Sequence, residues 1–227
     1  MRLSNSCAAF SSNIRSAKRA FTLIELLMVI AVIMILAGIT FGVFTGVKNA
    51  QTRTAAKAEL AALTQALEQF KLRNGDYPWV DGDPSKAEEN GKILFQALVG
   101  WMQFSGSGTS TQFEPKTSVP ATGPVAYIDI SKLTYADPSQ PDALNPEINP
   151  ASAPSSYVFL DPWGNPYVYL YGKSASDPDA WEIFGYHLYS RGVDGVDLAV
   201  GLDASSGIIQ ASHREADENV DNIYAGE

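Results

Sequence analysis

The chain has 227 residues and a net charge of −9, with 45% hydrophobic and 11% aromatic residues. That length suits one membrane segment and one modest soluble domain and leaves little room for a second, while the composition allows a core to form beyond residue 80 or so. Residues 1–20 carry Arg2, Arg15, Lys18 and Arg19 and no acid, so this +4 leader leaves −13 on residues 21–227; a body so acidic argues against nucleic acid as a partner, since phosphate contacts need clustered Lys and Arg.

The leader also holds the chain's one cysteine, Cys7, so no intrachain disulfide can form in the remainder. The preceding "RLSNS" lacks the apolar core of a lipidation signal, and the thiol reads as incidental. A secretory signal would place about 7–15 apolar residues between a basic region and a small-residue cleavage site. Here a basic, Ser-rich leader ends in "KRA", and the apolar run starts directly at Phe21 without such a site behind it.

From Leu26 to Val47, 22 consecutive residues lack a formal charge. As a helix this run reaches about 33 Å, enough to span a bilayer core. Gly38, Gly42 and Gly46 recur at spacing four, either as a small-residue packing face or as ordinary membrane glycines. The basic leader and acidic remainder predict the leader inside and the C-terminus outside. Glu25 is the anomaly, because an unpaired carboxylate in hydrocarbon is costly and usually has a partner. Two readings stand on pattern alone. Either Glu25 lies at the headgroup boundary beside Lys18 and Arg19, or the chain is cut before Phe21 and Glu25 pairs with the new α-ammonium of a neighbouring copy.

"KRAFTLIELLMVIAVIMILAG", residues 18–38, resembles the N-terminal signature of type IV pilins and of the pseudopilins of type II secretion systems, with Thr22 and Glu25 at the family's offsets from Phe21. The resemblance implies that a prepilin peptidase, an aspartyl enzyme of the membrane, cuts between Ala20 and Phe21 and N-methylates Phe21. It makes Glu25 an assembly residue matched to the amine of an adjacent Phe21, a charge pair that sets register more than it adds stability. Ala20 stands where the family nearly always has Gly, which keeps small size and allows slower processing.

After Lys48 the sequence turns polar but keeps good helix formers, and Leu60, Leu63, Leu67 and Phe70 share one face. Asn74, Gly75 and Pro78 supply a stop, so one helix is predicted from about Thr22 to about Arg73. Within 79–156 a short helix is predicted over Lys86–Trp101, with Ile93, Leu94, Leu98 and Trp101 inward, and a short strand over "VAYIDISKL", Val125–Leu133. Ser105–Pro124 and Asp137–Ser156, rich in Gly, Ser, Pro and Thr, read as loops. Two strands, Tyr157–Leu160 and Tyr167–Tyr171, flank the turn-forming "DPWGNP", and a third is predicted at about Trp181–Tyr189. Helix and sequential antiparallel strands define an α+β, pilin-like head ending in a C-terminal loop. Trp163 and the tyrosines fit core and cross-strand pairs better than a sugar- or base-stacking platform.

"YP" at 77–78, "DPWGNPYVY" at 161–169 and "YSRGVDG" at 189–195 are similar to segments found in this order in major pseudopilins of type II secretion systems; 79–156 matches no motif of theirs. The acids after Ser190 read by themselves as a solvated loop, without an EF-hand pattern. The resemblance implies instead a structural calcium held by Ser190, the Arg191 carbonyl, Asp194 and, from "VDNIY", Asp221 or the adjoining Asn222. The stretch Val200–Glu215 separates the two halves of that site by more than the family pattern. No catalytic set stands out: the histidines are His187 and His213, neither in a Ser/His/Asp or zinc spacing, and nothing in the sequence brings Asp161 and Asp194 together as a pair.

The organisation read from the sequence is therefore a leader at 1–20, a transmembrane assembly helix at 21–47, an amphipathic helix at 48–78, a variable region at 79–156, and a sheet with a calcium loop at 157–227. The implied protein is not an enzyme. It is a filament subunit of the bacterial inner membrane with its head in the periplasm. Its implied partners are copies of itself, prepilin peptidase, an inner-membrane assembly platform, minor pseudopilins and, indirectly, a motor ATPase. A surface adhesion or DNA-uptake pilus uses the same assembly, and an uncleaved membrane-anchored binding module is the reading from another class.

Overall fold

The computed structural model describes residues 21–119, 123–172, 185–197 and 208–226, without the side chains of 39–46 and 109. The leader, Ala20, the predicted strand start at 181–184 and most of the Val200–Glu215 stretch up to 207 lie outside the described residues. The chain divides into two compact units at Val47 and Lys48, and α1, Leu23–Asn74, is a 52-residue helix, as predicted within a residue at each end. In the first unit the large apolar side chains from Leu23 to Leu36 are exposed. Among the described residues no helix is long and apolar enough to cross a membrane; the side chains at 39–46, which belong to the predicted uncharged run, lie outside them.

The second unit is built on the later turns of α1. Ala56, Leu60, Leu63, Ala66, Leu67 and Phe70 recur every three or four residues and are all buried, the stripe of a helix with one face covered. The helix stops where the sequence says it should. Gly75 takes a left-handed φ of 94°, and its N–H donates to the Lys71 carbonyl at 2.7 Å, satisfying a carbonyl that the helix leaves open. Asn74 Nδ2 donates to the Phe70 carbonyl and to the Tyr127 hydroxyl at 2.9 and 2.8 Å, which ties this end to a distant loop.

Asp83 accepts from the Ser85 N–H and opens a single 3₁₀ turn, Pro84–Lys86, that leads into α2, Ala87–Leu98. This helix ends three residues short of the predicted Trp101. Gly100, at φ 89°, closes a Schellman motif, with the Gly100 and Trp101 N–H groups donating to the Ala97 and Gln96 carbonyls. Leu94, Leu98 and Trp101 are buried as predicted, whereas Ile93 is half-buried. Gly91 lets α2 press on the sheet, since a Cβ there would stand 3.3 Å from Val158 Cγ1.

Among the described residues the strands form three small antiparallel sheets, where a single one was predicted. The first joins β1, Met102–Ser105, to β2, Gln112–Pro115, a hairpin whose turn and second strand fall inside the stretch predicted as loop. The second joins β3, Thr134–Ala136, to β4, Val158–Leu160. The third runs β5, Val168–Leu170, β6, His187–Ser190, and β7, Ile223–Tyr224. The strand predicted at Val125–Leu133 does not form. The Asp129 carboxylate accepts from the Ser131 N–H and hydroxyl at 3.2 and 2.7 Å and folds Ile130–Lys132 into a 3₁₀ turn, a side-chain bond that competes with the ladder. Pairing begins only at Thr134. "DPWGNP" does form the turn between β4 and β5, but those strands meet in one bridge, Leu160 with Pro166. Pro166 has no N–H with which to extend the ladder.

One core joins the α1 stripe to Phe95, Phe159, Tyr169 and Leu188. Around it, tyrosine hydroxyls meet polar groups of α1 and the segment that follows it: Tyr167 donates to Glu59 at 2.8 Å, Tyr77 to Glu68 at 2.7 Å, and Tyr171 to Asp76 at 2.6 Å. Burial raises the Glu59 carboxyl above its ordinary 4.5, partly offset by Tyr167 and assisted by the Asp161 charge; burial likewise raises Asp161 above 3.8.

Leu67→Ala should destabilise the chain by about 2–5 kcal/mol, the range for truncating a fully buried leucine, in denaturant unfolding of the detergent-solubilised protein. A carboxyl whose pKa rises on folding holds its proton more tightly in the folded state. Acidification from neutrality towards 4.5 should therefore raise the melting temperature through Glu59 and Asp161, and this gain disappears on return to neutral pH. In Glu59→Gln the pH-dependent rise should shrink; an unchanged pH profile would contradict the assignment.

Candidate functional site

Two of the places singled out by the sequence carry describable geometry. At the start of α1, Glu25 accepts from the Thr22 N–H at 2.9 Å and from its hydroxyl at 2.8 Å, while the Glu25 N–H donates to Thr22 Oγ1 at 3.3 Å. This is a reciprocal capping box, with Thr22 as N-cap and Glu25 three residues on, and it satisfies donors that a helix start otherwise leaves open. The T-x-x-E spacing was available in the sequence as a signal for this role, and the reading of Glu25 as a membrane anomaly passed over it. Phe21, immediately before the cap, is 74% exposed.

The second place is the loop after β6. Register sets it up: Ser190 pairs with Ile223 of β7, which brings Asp221 beside Gly192. Asp221 Oδ2 then accepts from the Val193 N–H at 2.8 Å and the Asp194 N–H at 3.4 Å. Gly192, at φ 71°, is required here, because a Cβ would collide with the Asp221 carboxylate and carbonyl. Asp194 Oδ1 accepts from the Val196 N–H at 2.9 Å.

The buried Ser190 hydroxyl points inward and donates to Asp161 Oδ2 at 2.6 Å while accepting from the Gly192 N–H. Asp161 Oδ1 in turn accepts from the Trp163 and Asn165 N–H groups, and Asn165 Nδ2 donates to the Gly192 carbonyl at 3.0 Å. The "DPWGNP" turn and the "YSRGVDG" loop are thus one hydrogen-bonded body, with Asp161 and Asn165 as its links, roles that spacing along the chain does not show. The Arg191 side chain leaves this body for Asp197, 2.9 Å from Oδ1, and the Tyr189 hydroxyl donates to Asp197 Oδ2 at 2.8 Å.

The residues predicted to hold calcium therefore meet around one loop, but unequally. Ser190 is engaged inward and Asp194 holds its own turn. Asp221 Oδ1 is buried without a hydrogen-bond partner, and so is Asn222 Oδ1. Such an orphaned carboxylate oxygen is what an absent cation would leave behind. Among the described residues no three His, Cys, Asp or Glu side chains converge on a metal position, so hydroxyl and carbonyl oxygens would have to complete a site, as calcium accepts. His187 stands in β6 and His213 in a one-turn helix, Ala211–Arg214.

A capped helix, apolar at its start, that runs into an α+β head matches a pilin-like fold, and comparison with known proteins agrees. The prokaryotic N-terminal methylation motif matches residues 15–41. The type II secretion system core protein G of Klebsiella michiganensis is 36% identical over 64 residues, which covers 28% of this chain and 45% of that protein. The chain thus matches less than half the length of that relative. No solved structure matches. Motif and relative together make the chain similar to the type IV pilin-like proteins, among them the pseudopilins.

Asp221→Ala removes the acceptor of two backbone N–H groups and should cost about 1–3 kcal/mol. Protease cleavage within 190–197 should become faster than in the wild type, and unchanged cleavage there would show that another group holds the loop.

Proposed function

We propose that the chain is a structural, non-catalytic subunit of a type II secretion pseudopilus. The match to core protein G, on top of the methylation motif, carries this reading. In it, residues 21–47 anchor the chain in the bacterial inner membrane with the head in the periplasm. Prepilin peptidase cuts between Ala20 and Phe21 and methylates Phe21. Copies then polymerise through α1, and Glu25 of one copy meets the amine of Phe21 on the next. Subunits added at the membrane by an assembly platform, driven indirectly by a motor ATPase and joined by minor pseudopilins, would push exported proteins outward. A surface adhesion or DNA-uptake pilus would use the same assembly; the β1–β2 hairpin and the long loops of 79–156 are the part of the head free to serve it.

Calcium belongs to the same reading. Asp221 Oδ1 is the observation in its favour, with Asp194, Ser190 and the Arg191 carbonyl as further oxygens. The ion would clamp the C-terminal loop where the chain has no cysteine to do so.

The mass of the N-terminal peptide from native membranes tests processing. It should begin at methylated Phe21, and a peptide retaining residues 1–20 would leave the anchored binding module as the better reading. Glu25→Ala should leave the head folded by circular dichroism and abolish filaments in electron micrographs. Calcium at about 100 times its Kd should add about 2.7 kcal/mol, seen as a higher melting temperature than in chelator; Asp221→Ala should remove that difference.

A further inference from the structure

The first turns of the second unit carry charge opposite to the rest of that unit. Lys48, Arg53 and Lys57 are all exposed, and no acid occurs between Glu25 and Glu59. Residues 21–227 otherwise hold a large acidic excess. These cations begin one residue after the 22-residue uncharged run ends at Val47 and extend over about 14 Å of helix. Beside them Asn49, Arg53, Trp163, Val193 and Asp221 line one open depression of about 110 Å³, with Trp163 and Val193 as its apolar part. Val193 is 65% exposed and Trp163 is half-buried.

We propose that this end of the head is a docking surface for the anionic phospholipids of the membrane in which the chain is anchored. Cations next to an apolar segment attract negative headgroups, and a half-exposed tryptophan is the side chain that settles at the headgroup level. Lys48, Arg53 and Lys57 supply the attraction; Trp163 and Val193 supply the wedge that enters the interface. Asp221 does not oppose it strongly, because its outer oxygen is held by two backbone N–H groups; the exposed acids of the loop, Asp194 among them, make the contact depend on the helix cations. Headgroup contact holds a head against the membrane before it joins a filament, so joining must lift it off.

This inference rests on the membrane anchoring proposed above, and the tryptophans separate the two. All four, Trp79, Trp101, Trp163 and Trp181, lie outside residues 21–47, so lipid quenching of tryptophan reports the head and not the anchor. The full-length protein is reconstituted in nanodiscs of phosphatidylcholine with or without about one-third phosphatidylglycerol, both containing a shallow brominated lipid. Quenching should be at least threefold greater in the anionic discs, fall to the neutral-disc level in 0.5 M salt, and be lost in Trp163→Phe and in the Lys48→Gln, Arg53→Gln, Lys57→Gln triple variant. The salt and lipid comparisons need no variant. Equal quenching in both discs, or none while the protein co-elutes with the disc, overturns the docking surface. Failure to enter discs at all overturns the anchoring on which it depends.

Discussion

The apolar stripe of α1 between Ala56 and Phe70 has to be kept from water along about 20 Å of helix, while two- to four-residue strands each extend only about 7–14 Å. No one of the small sheets can cover that length. The head therefore assembles several covers: α2 with β4, the three-stranded sheet, and the β1–β2 hairpin, whose Phe104 and Phe113 meet Phe70 edge-on at 6.3 and 6.1 Å. Tyr127 completes the ring around Phe70 at 5.1 Å. A hairpin and a loop that the sequence left unassigned thus shield the last buried turn of α1.

Position along α1 is then fixed by polar groups. Glu59 and Glu68 accept from Tyr167 and Tyr77, and Asp76, just beyond the helix, accepts from Tyr171. Apolar packing by itself tolerates sliding, but a phenol shifted by one residue would lose its acceptor. Burial of the hydroxyls makes that loss expensive. The same logic links two turns of the head through Ser190, Asp161, Asn165 and Gly192, so that the C-terminal loop is positioned by a turn some thirty residues earlier rather than by its own sequence.

What was legible in the sequence was local. The spacing of Leu60, Leu63, Leu67 and Phe70, the Gly75 stop, and the turn at "DPWGNP" each follow from a few neighbouring residues. The split into three sheets was not, because it depends on Pro166 lacking a donor at one pairing position and on Asp129 finding Ser131 before Ile128 and Ile130 could pair. The β1–β2 hairpin was hidden because its strands are four residues long and its turn is as rich in Gly, Ser and Thr as any loop. At the site, the candidates Ser190, Asp194 and Asp221 came from resemblance; that Ser190 faces Asp161 instead of the loop exterior is a fact of packing that no spacing conveys.

The cap formed by Thr22 and Glu25 bears on how firmly subunits of the proposed filament can hold one another. Glu25 is not an idle acceptor: one oxygen already serves the Thr22 N–H and hydroxyl. An arriving amine must share that oxygen, use the other, or displace the cap, and in the last case the two bonds from Thr22 are given up for the new contact. The gain on association is then the charge-assisted contact less the bonds from Thr22 that it replaces. In the proposed filament Glu25 would then work as a latch, recognising its partner closely and still letting go.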